Sequence, residues 1–346
     1  MTNYILRRLM ILPLILFGVT ILIFVMLSQL SPGQRAALYT REQASPQTID
    51  RIIREYGLND PIPQQYVRWL GNVVRGDLGF SKTGKEPVAE MFLRLFPATV
   101  ELALWSTVPL IALGIWLGMM AALNHNRLPD VVLRIISIIL TSLPIFVFAL
   151  LLLMLFAARL RWLPPGDRLS QLNQALVDSA AWRSGWAPVT GIYTLDALLR
   201  GNLAVFVDAL RHLLLPVTSL SALNCAVLLR VTRSSMLDTL RQDYVRMAQA
   251  KGLSWHDVVR KHARPNALLP VVTVGGLTMV ALMNGAAITE TVYNYPGIGK
   301  RFADAAANLD AVTVLGFVLF QGVILVIGNL IVDILYAVID PRIRLG

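Results

Sequence analysis

The sequence predicts an all-α polytopic membrane protein. It has six transmembrane helices, both termini cytoplasmic, and an extracytoplasmic subdomain after the first helix. Three observations predict this. First, 55% of the 346 residues are hydrophobic, mean hydropathy is +0.61, and only 15% are charged, against about 25% in soluble domains. Second, six runs lack Asp, Glu, Lys and Arg: 9–34, 102–126, 135–158, 212–229, 265–289 and 311–332. Each approaches the about 20 residues that cross about 30 Å of hydrocarbon at about 1.5 Å per residue. Third, the charge is asymmetric. With the N-terminus inside, segments 1–8, 127–134, 230–264 and 333–346 hold 14 Lys and Arg against 6 Asp and Glu, while the outside segments hold 17 against 15. Basic loops stay on the cytoplasmic face.

The formal net charge of +10 is therefore an orientation signal, and a nucleic-acid partner is excluded. Cys225 stands alone in an apolar run, which rules out a disulfide framework or a cysteine metal site. The first apolar run is span-length and no small-residue cleavage site follows it, so no cleavable signal is expected.

Arg7 and Arg8 precede the first span and anchor it. The mixed-charge stretch 35–96 then has two helical segments, Gln47–Tyr56 and Pro61–Arg75, with Tyr66 and Trp69 suited to the membrane interface. Residues Gly79 to Glu86 match most of a phosphate-binding loop, but Glu86 replaces the hydroxyl residue that would hold Mg²⁺ and no buried strand precedes it. A flexible turn is the expectation. Glu101 sits at the mouth of the second span. A short basic loop with His125, Arg127 and Arg134 leads to the third span. In the long segment 159–211, Trp162-Leu-Pro-Pro-Gly166 breaks the chain, and Thr194 to Leu215 reads as an amphipathic helix entering span four. Asn224, Asn284, Gln321 and Asn329 are polar residues inside spans, suited first to interhelical hydrogen bonds and second to lining a pathway.

The loop after span four carries the most information. Ser234–Leu240 and Asp243–Ala250 have helical patterning, with Leu237, Leu240, Tyr244, Met247 and Ala248 on one face. Gly252 permits a turn. Ser254 is placed as an N-cap with Asp257 three residues on, and a helix Trp255–Ala263 is expected to stop at Pro265. Such a segment is either a solvated basic loop that only fixes topology or a short helix laid across a partner's groove, and its small residues favour the second.

Tyr244-Val-Arg-Met-Ala-Gln-Ala-Lys-Gly252, followed by His262-Ala-Arg-Pro-Asn-Ala-Leu-Leu-Pro270, resembles the EAA loop of ATP-binding-cassette importer permeases. Arg246 stands where Glu is usual, Met247 replaces the first Ala, and His262 and Arg264 replace the Ile and Leu of the general pattern. These departures resemble the dipeptide/oligopeptide/nickel branch. Pro97-Ala-Thr-Val-Glu101-Leu, His212-Leu-Leu-Leu-Pro216, Glu290-Thr-Val-Tyr with Pro296-Gly-Ile-Gly299, and Asp340-Pro-Arg342 are similar to that branch as well.

The resemblance implies a permease subunit of an ATP-driven importer in a prokaryotic plasma (inner) membrane. Its partners would be a homologous second permease, two ATPase subunits that bind ATP and Mg²⁺, an extracytoplasmic substrate-binding protein and membrane lipid. No cofactor is expected in this chain. Peptides are the expected cargo, with nickel chelates, oligosaccharides and glutathione-like solutes as alternatives. The implied division is 1–96 for the first helix and subdomain, 97–338 for the permease core with coupling loop 230–267, and 339–346 for a tail. ATPase contact would fall to Asp243, Arg246, Met247, Ala248, Lys251, Gly252, Leu253 and Pro265. Ala248 and Gly252 would be its close-contact positions. The segment Glu290 to Gly299 is either an external gate touching the delivered peptide, built from Glu290, Tyr293, Tyr295, Pro296 and Gly297, or a tight re-entry loop turned by its Pro-Gly pair. An intramembrane enzyme is disfavoured because no H-E-x-x-H, no G-x-S-x-G and no paired Asp occurs in the spans. A stand-alone ion-coupled transporter would carry charges in mid-span.

Overall fold

Two long helices form the spine, α5 (Val88–Leu123) and α11 (Leu203–Leu240). They lie against each other through small residues. A Cβ on Gly114 would meet Leu228 Cβ at 2.8 Å, and one on Gly118, a turn later, would meet Thr232 Cβ at 2.5 Å and the Leu229 carbonyl at 2.8 Å. Such small-residue ridges let helix backbones approach inside a bilayer. A Gly118→Val variant is expected to force the pair apart at a cost of about 1–3 kcal/mol. Thermal unfolding of the purified protein in detergent would read this as a lowered midpoint.

The computed structural model describes residues 2–37, 45–184 and 189–339. The expected 339–346 tail, with Asp340 and Arg342, lies outside the described residues apart from Ile339. The chain opens with α1 (Thr2–Ser28), α2 (Pro32–Ala37), α3 (Pro46–Glu55) and α4 (Ile62–Val74). The last two match the helices read from sequence. Tyr66 and Trp69 fold back onto α1, with Tyr66 edge-on to Phe24 at 5.3 Å and hydrogen-bonded to Thr20 at 2.9 Å.

The stretch 79–86 is not a flexible turn. Phe80–Ser81 (β1) and Glu86–Pro87 (β2) form an antiparallel hairpin. The Thr83 N–H and the Ser81 hydroxyl donate to the Asp310 carboxylate at 2.9 and 3.0 Å, so the turn's anion-holding donors already grip an internal carboxylate. Burial pushes that carboxyl's pKa up, but the donors from Thr83, Thr313 and Ser81 outweigh it and leave it below the usual range.

α5 begins 14 residues before the charge-free run predicts and runs through Pro97 and Pro109. Glu101 is therefore inside a helix and buried, and the expected junction at 96 and 97 falls in mid-helix. The third span is broken. α6 (Leu128–Ser142) and α7 (Ile145–Leu152), which continues as a π-helix over Leu153–Arg159, meet at 102°. Pro144 lacks an N–H and forces Leu143 into extended geometry (φ −82°, ψ 128°). Short helices α8 (Gln171–Asp178), α9 (Ala180–Arg183) and α10 (Tyr193–Leu199) follow. The predicted continuous helix from Thr194 is interrupted at Gly201, whose φ of +67° lies in the left-handed region.

Residues 234–240 are not a separate helix but the end of α11. Beyond the loop described below, α15 (Leu269–Met283) ends before the predicted limit of 289, because Gly285 takes φ +100°. α16 (Ala287–Val292), α17 (Ile298–Ala307) and α18 (Ala311–Ile339) complete the chain. α18 packs on α15 and α1. The protein is thus helical and membrane-type. Among the described residues, three helices are long and apolar enough to cross alone, and up to five spans result if each bent pair counts as one, besides the shorter apolar helix Pro13–Ser28.

Candidate functional site

The loop between α11 and α15 is a folded unit. α12 (Asp243–Ala250) ends in a left-handed cap: Gly252 N–H donates to the Gln249 carbonyl at 2.9 Å and Leu253 N–H to the Ala248 carbonyl at 3.4 Å, with Gly252 at φ +79°. This pairing is a Schellman cap, which favours glycine because a side chain there strains the backbone. A Cβ on Gly252 would meet no atom of this chain. The glycine serves conformation within the chain, and its outer side is open.

Ser254 caps the returning helix, accepting the Asp257 N–H at 3.1 Å while its hydroxyl donates to the Asp257 carboxylate at 2.8 Å. Lys261 pairs with Asp257 at 2.9 Å. The helix α13 (Trp255–Asp257) does not stop at Pro265. It widens into a π-helix over Val258–Ala263, continues as α14 (Arg264–Ala267) with Pro265 in its first turn, and bends 46° into α15. The Arg264 N–H reaches back to the Val259 carbonyl. Such a wide turn re-registers the hydrogen bonds ahead of a residue with no N–H to give.

The two faces of α12 differ from the sequence reading. Val245 and Ala248 point inward and pack with Val258, Val259, Ala263, Met236 and Ala122. Tyr244, Met247, Leu253 and Trp255 face outward, exposed by 41%, 59%, 40% and 52%. Ala248 is therefore an internal packing residue, not a surface for close approach, and Tyr244 and Met247 do not share its face. Asp243 and Arg246 form a loose exposed pair at 3.8 Å, and Lys251 is exposed beside them. Pro265 is exposed at the far end.

The unit is tied down from behind. Arg233 near the end of α11 donates Nε and Nη2 to Asp130 at 2.6 and 2.8 Å. Asp130, in the first turn of α6, is fully buried, with Arg134 and His125 each 3.6 Å away. Ser235 Oγ donates to the Ala267 carbonyl at 2.8 Å. The forked arginine–carboxylate geometry fixes the start of α6 to the last turns of α11, which lead into α12. Sequence reading missed this pair, because its members are 103 positions apart and each reads as an ordinary loop charge.

At the opposite end of the bundle, the expected gate residues turn out to be mostly interior. Glu290, Tyr293, Tyr295 and Gly297 are buried, and only Pro296 is exposed. Glu290 accepts from the Thr99 hydroxyl at 3.0 Å and the Lys300 N–H at 2.8 Å. Gly297 is small of necessity, since a Cβ would lie 2.5 Å from both the Glu290 carboxyl carbon and Thr99 Oγ1. Beside this cluster Glu101 accepts from Arg168, from the Thr194 N–H and hydroxyl at 2.7 Å each, and from the Tyr295 hydroxyl at 3.2 Å. The Arg168 guanidinium lies 3.7 Å from the centre of the Tyr193 ring. Proline-flanked Tyr295 reads from sequence as a loop tip, and its role as a buried partner of two charged groups needs the fold. Asn224 does not bridge helices as expected. It bonds its own helix at the Leu220 carbonyl, 2.7 Å, while the buried Oδ1 atoms of Asn284 and Asn329 meet no partner among the described residues.

The arrangement offers a rigid, partly apolar, cation-edged surface at one end and a buried polar clamp at the other. Among the described residues no cluster of His, Cys, Asp and Glu could hold a metal. Comparison with known proteins agrees with a transport role. The family described as "binding-protein-dependent transport system inner membrane component" matches residues 114–345, and its N-terminal counterpart matches residues 1–103. The chain is 41% identical to a di/tripeptide transport system permease protein of Pseudomonas aeruginosa, with 99% of each chain covered. It is 39% identical to a probable D,D-dipeptide transport system permease protein of Escherichia coli, covering 97% of this chain and 95% of that one. It is 37% identical to an oligopeptide transport system permease protein of Bacillus subtilis, covering 99% and 100%. From its first span to its last, this chain belongs to the family of inner membrane permease components of binding-protein-dependent, ATP-binding-cassette importers.

Proposed function

We propose that this permease subunit carries peptides inward, and that the outward face of α12 and its turn docks on an ATPase subunit. We read six spans with both termini cytoplasmic, taking α1, α5, the bent α6–α7 pair, α11, α15 and α18 as one crossing each and the excess of basic residues as marking the inside. The basic 230–264 segment then lies inside. The division at 1–96, 97–338 and 339–346 is retained as a functional one, although α5 joins the first two parts rigidly. A second permease, two ATPase subunits and a substrate-binding protein complete the machine. Peptide cargo is favoured over nickel chelates or sugars by full-length similarity to permeases named for dipeptides and oligopeptides.

The observation that carries the docking role is the exposed quartet Tyr244, Met247, Leu253 and Trp255, mounted on a framework fixed by Asp130–Arg233. Large apolar side chains grouped on a charged loop mark a protein interface. Asp243, Arg246 and Lys251 form its polar rim, and Gly252 shapes the turn that presents Leu253. Ala248 acts from within, packing the two helices together, while the exposed Pro265 stands in the first turn of α14. ATP-driven closure of the ATPases would move α12 as a rigid lever and switch the spans between two packed states. The 290–297 segment and Glu101–Arg168 we read as the frame of the outer gate, with Pro296 its surface point, rather than as residues that touch cargo.

Reconstitution of the assembled importer in liposomes tests this. Uptake of a labelled dipeptide is expected to require ATP, the ATPase subunits and the binding protein together. Uptake by the permease pair alone without ATP, or uptake of nickel chelates with no peptide uptake, would contradict the reading.

A further inference from the structure

Where the apolar run of α1 gives out, two adjoining spaces open between α1 and the small subdomain. One is a narrow apolar slot in which Ile23 and Leu27 face Leu315, Gly316 and Leu319 of α18. The other is a cavity of about 280 Å³ among α1, α2, α3 and α4, walled by Phe24, Arg35, Glu55 and Arg68. Leu27, Trp69, Asn72 and Asp77 line both. Together they make one crevice, apolar at one end and charged at the other.

Its depth is set by the aromatic contacts. Phe24 belongs to the apolar helix Pro13–Ser28 and packs against Trp69 with ring centres 5.7 Å apart. Tryptophan and tyrosine settle at the headgroup level of a bilayer, so the charged end lies where headgroups lie.

Both signs of charge are present there. Arg35 donates to the Gln65 side chain and to the Leu58 carbonyl at 3.0 Å, while its buried Nε meets no partner among the described residues. Arg68 sits against Asp60 at 2.6 Å. On the acidic side, Asp77 and Glu55 come close enough to Tyr56 to raise its phenol pKa, adding to the larger effect of burial. Arg35 and Arg68 thus face Glu55 and Asp77 across one cavity, and the buried Nε of Arg35 is left to find an acceptor. An amphiphile with a phosphate and an ammonium on the same headgroup answers them all.

We infer that this crevice holds the headgroup of one phosphatidylethanolamine molecule, its phosphate against Arg35 and Arg68 and its ammonium against Glu55 and Asp77, with the acyl chains in the bilayer along the exposed Leu22, Val25 and Met26 of α1. The ethanolamine ammonium has three N–H donors for the carboxylates. A choline headgroup has none, and a glycerol headgroup supplies no positive charge. This site depends only on membrane placement of the chain and not on the docking role of α12.

Native mass spectrometry of the assembled importer tests the inference, with the complex exchanged into micelles holding equal amounts of phosphatidylethanolamine, phosphatidylglycerol and phosphatidylcholine. The wild type is expected to retain one phosphatidylethanolamine with about tenfold preference, the size of one charge-assisted hydrogen bond. The double variant Glu55→Gln, Asp77→Asn, made on exposed side chains and checked for an unchanged melting point, is expected to bring that preference to parity with phosphatidylcholine. Arg35→Gln is expected to lose the lipid altogether. No retained lipid, equal retention of all three, a preference for phosphatidylglycerol, or an unchanged preference in the double variant would each overturn it.

Discussion

Arg168→Leu is expected to abolish stable folding of the permease, at a cost of about 3–5 kcal/mol. The substitution leaves the Glu101 carboxylate buried beside Thr194 and Tyr295 with no countercharge. It also removes the donor to the Gly191 carbonyl at 2.7 Å, and so frees the segment leading into α10. Removing one member of a buried pair is costly, whereas replacing both by apolar groups is much milder. Adding Glu101→Leu to Arg168→Leu should therefore restore part of the loss, although Thr194 N–H would then lack an acceptor. The measurement is the detergent melting midpoint of each single variant and of the double variant. Two single losses that simply add in the double variant would show that the pair is not coupled.

The second large effect is expected at the other end of the molecule. Met247→Glu together with Leu253→Glu should cut ATPase capture by the permease by about tenfold or more, since a central apolar contact in an interface is worth about 2 kcal/mol or more. Insertion and melting should stay near wild type, because both side chains are exposed. Gly252→Ala differs in kind. Its strain falls on the cap at φ +79° and costs about 1 kcal/mol, loosening the presentation of Leu253 without placing a charge in the interface. Co-purification of ATPase with each variant separates the two cases.

These expectations divide along what the sequence could and could not reveal. Local signals were legible. Gly252 marks its turn because few other residues accept that backbone, and Ser254 with Asp257 marks a helix start within four residues. The helices near 46–55 and 62–74 follow from their own periodicity. The apolar runs locate the spans because the bilayer imposes a length. Direction and distance were not legible. Whether Ala248 or Met247 faces the partner depends on where Val258 and Ala263 return, and nothing in the 243–252 pattern states that. Pro144 and Pro265 look equally disruptive on paper. One bends the chain by 102° and the other is absorbed in a helix that bends by 46°, because a π-turn re-registers the hydrogen bonds before Pro265. Glu290 and Tyr295 sit beside a Pro-Gly pair that suggests an exposed tip, yet Thr99 and Glu101, almost 200 positions earlier, draw them inside. The near-match to a phosphate loop at 79–86 is resolved in the same way, since Asp310 occupies the donors.

Site-specific cross-linking gives the most direct test of the docking role. Cys225 is the chain's single cysteine and is buried, so a Cys225→Ala background accepts one new thiol at a time. Met247→Cys and Leu253→Cys are expected to cross-link to an ATPase subunit in membranes, with a yield that changes on ATP addition, while Val245→Cys on the inward face gives none. Equal cross-linking from positions 245 and 247, or none from 247 and 253 in an importer that still transports, would contradict the account.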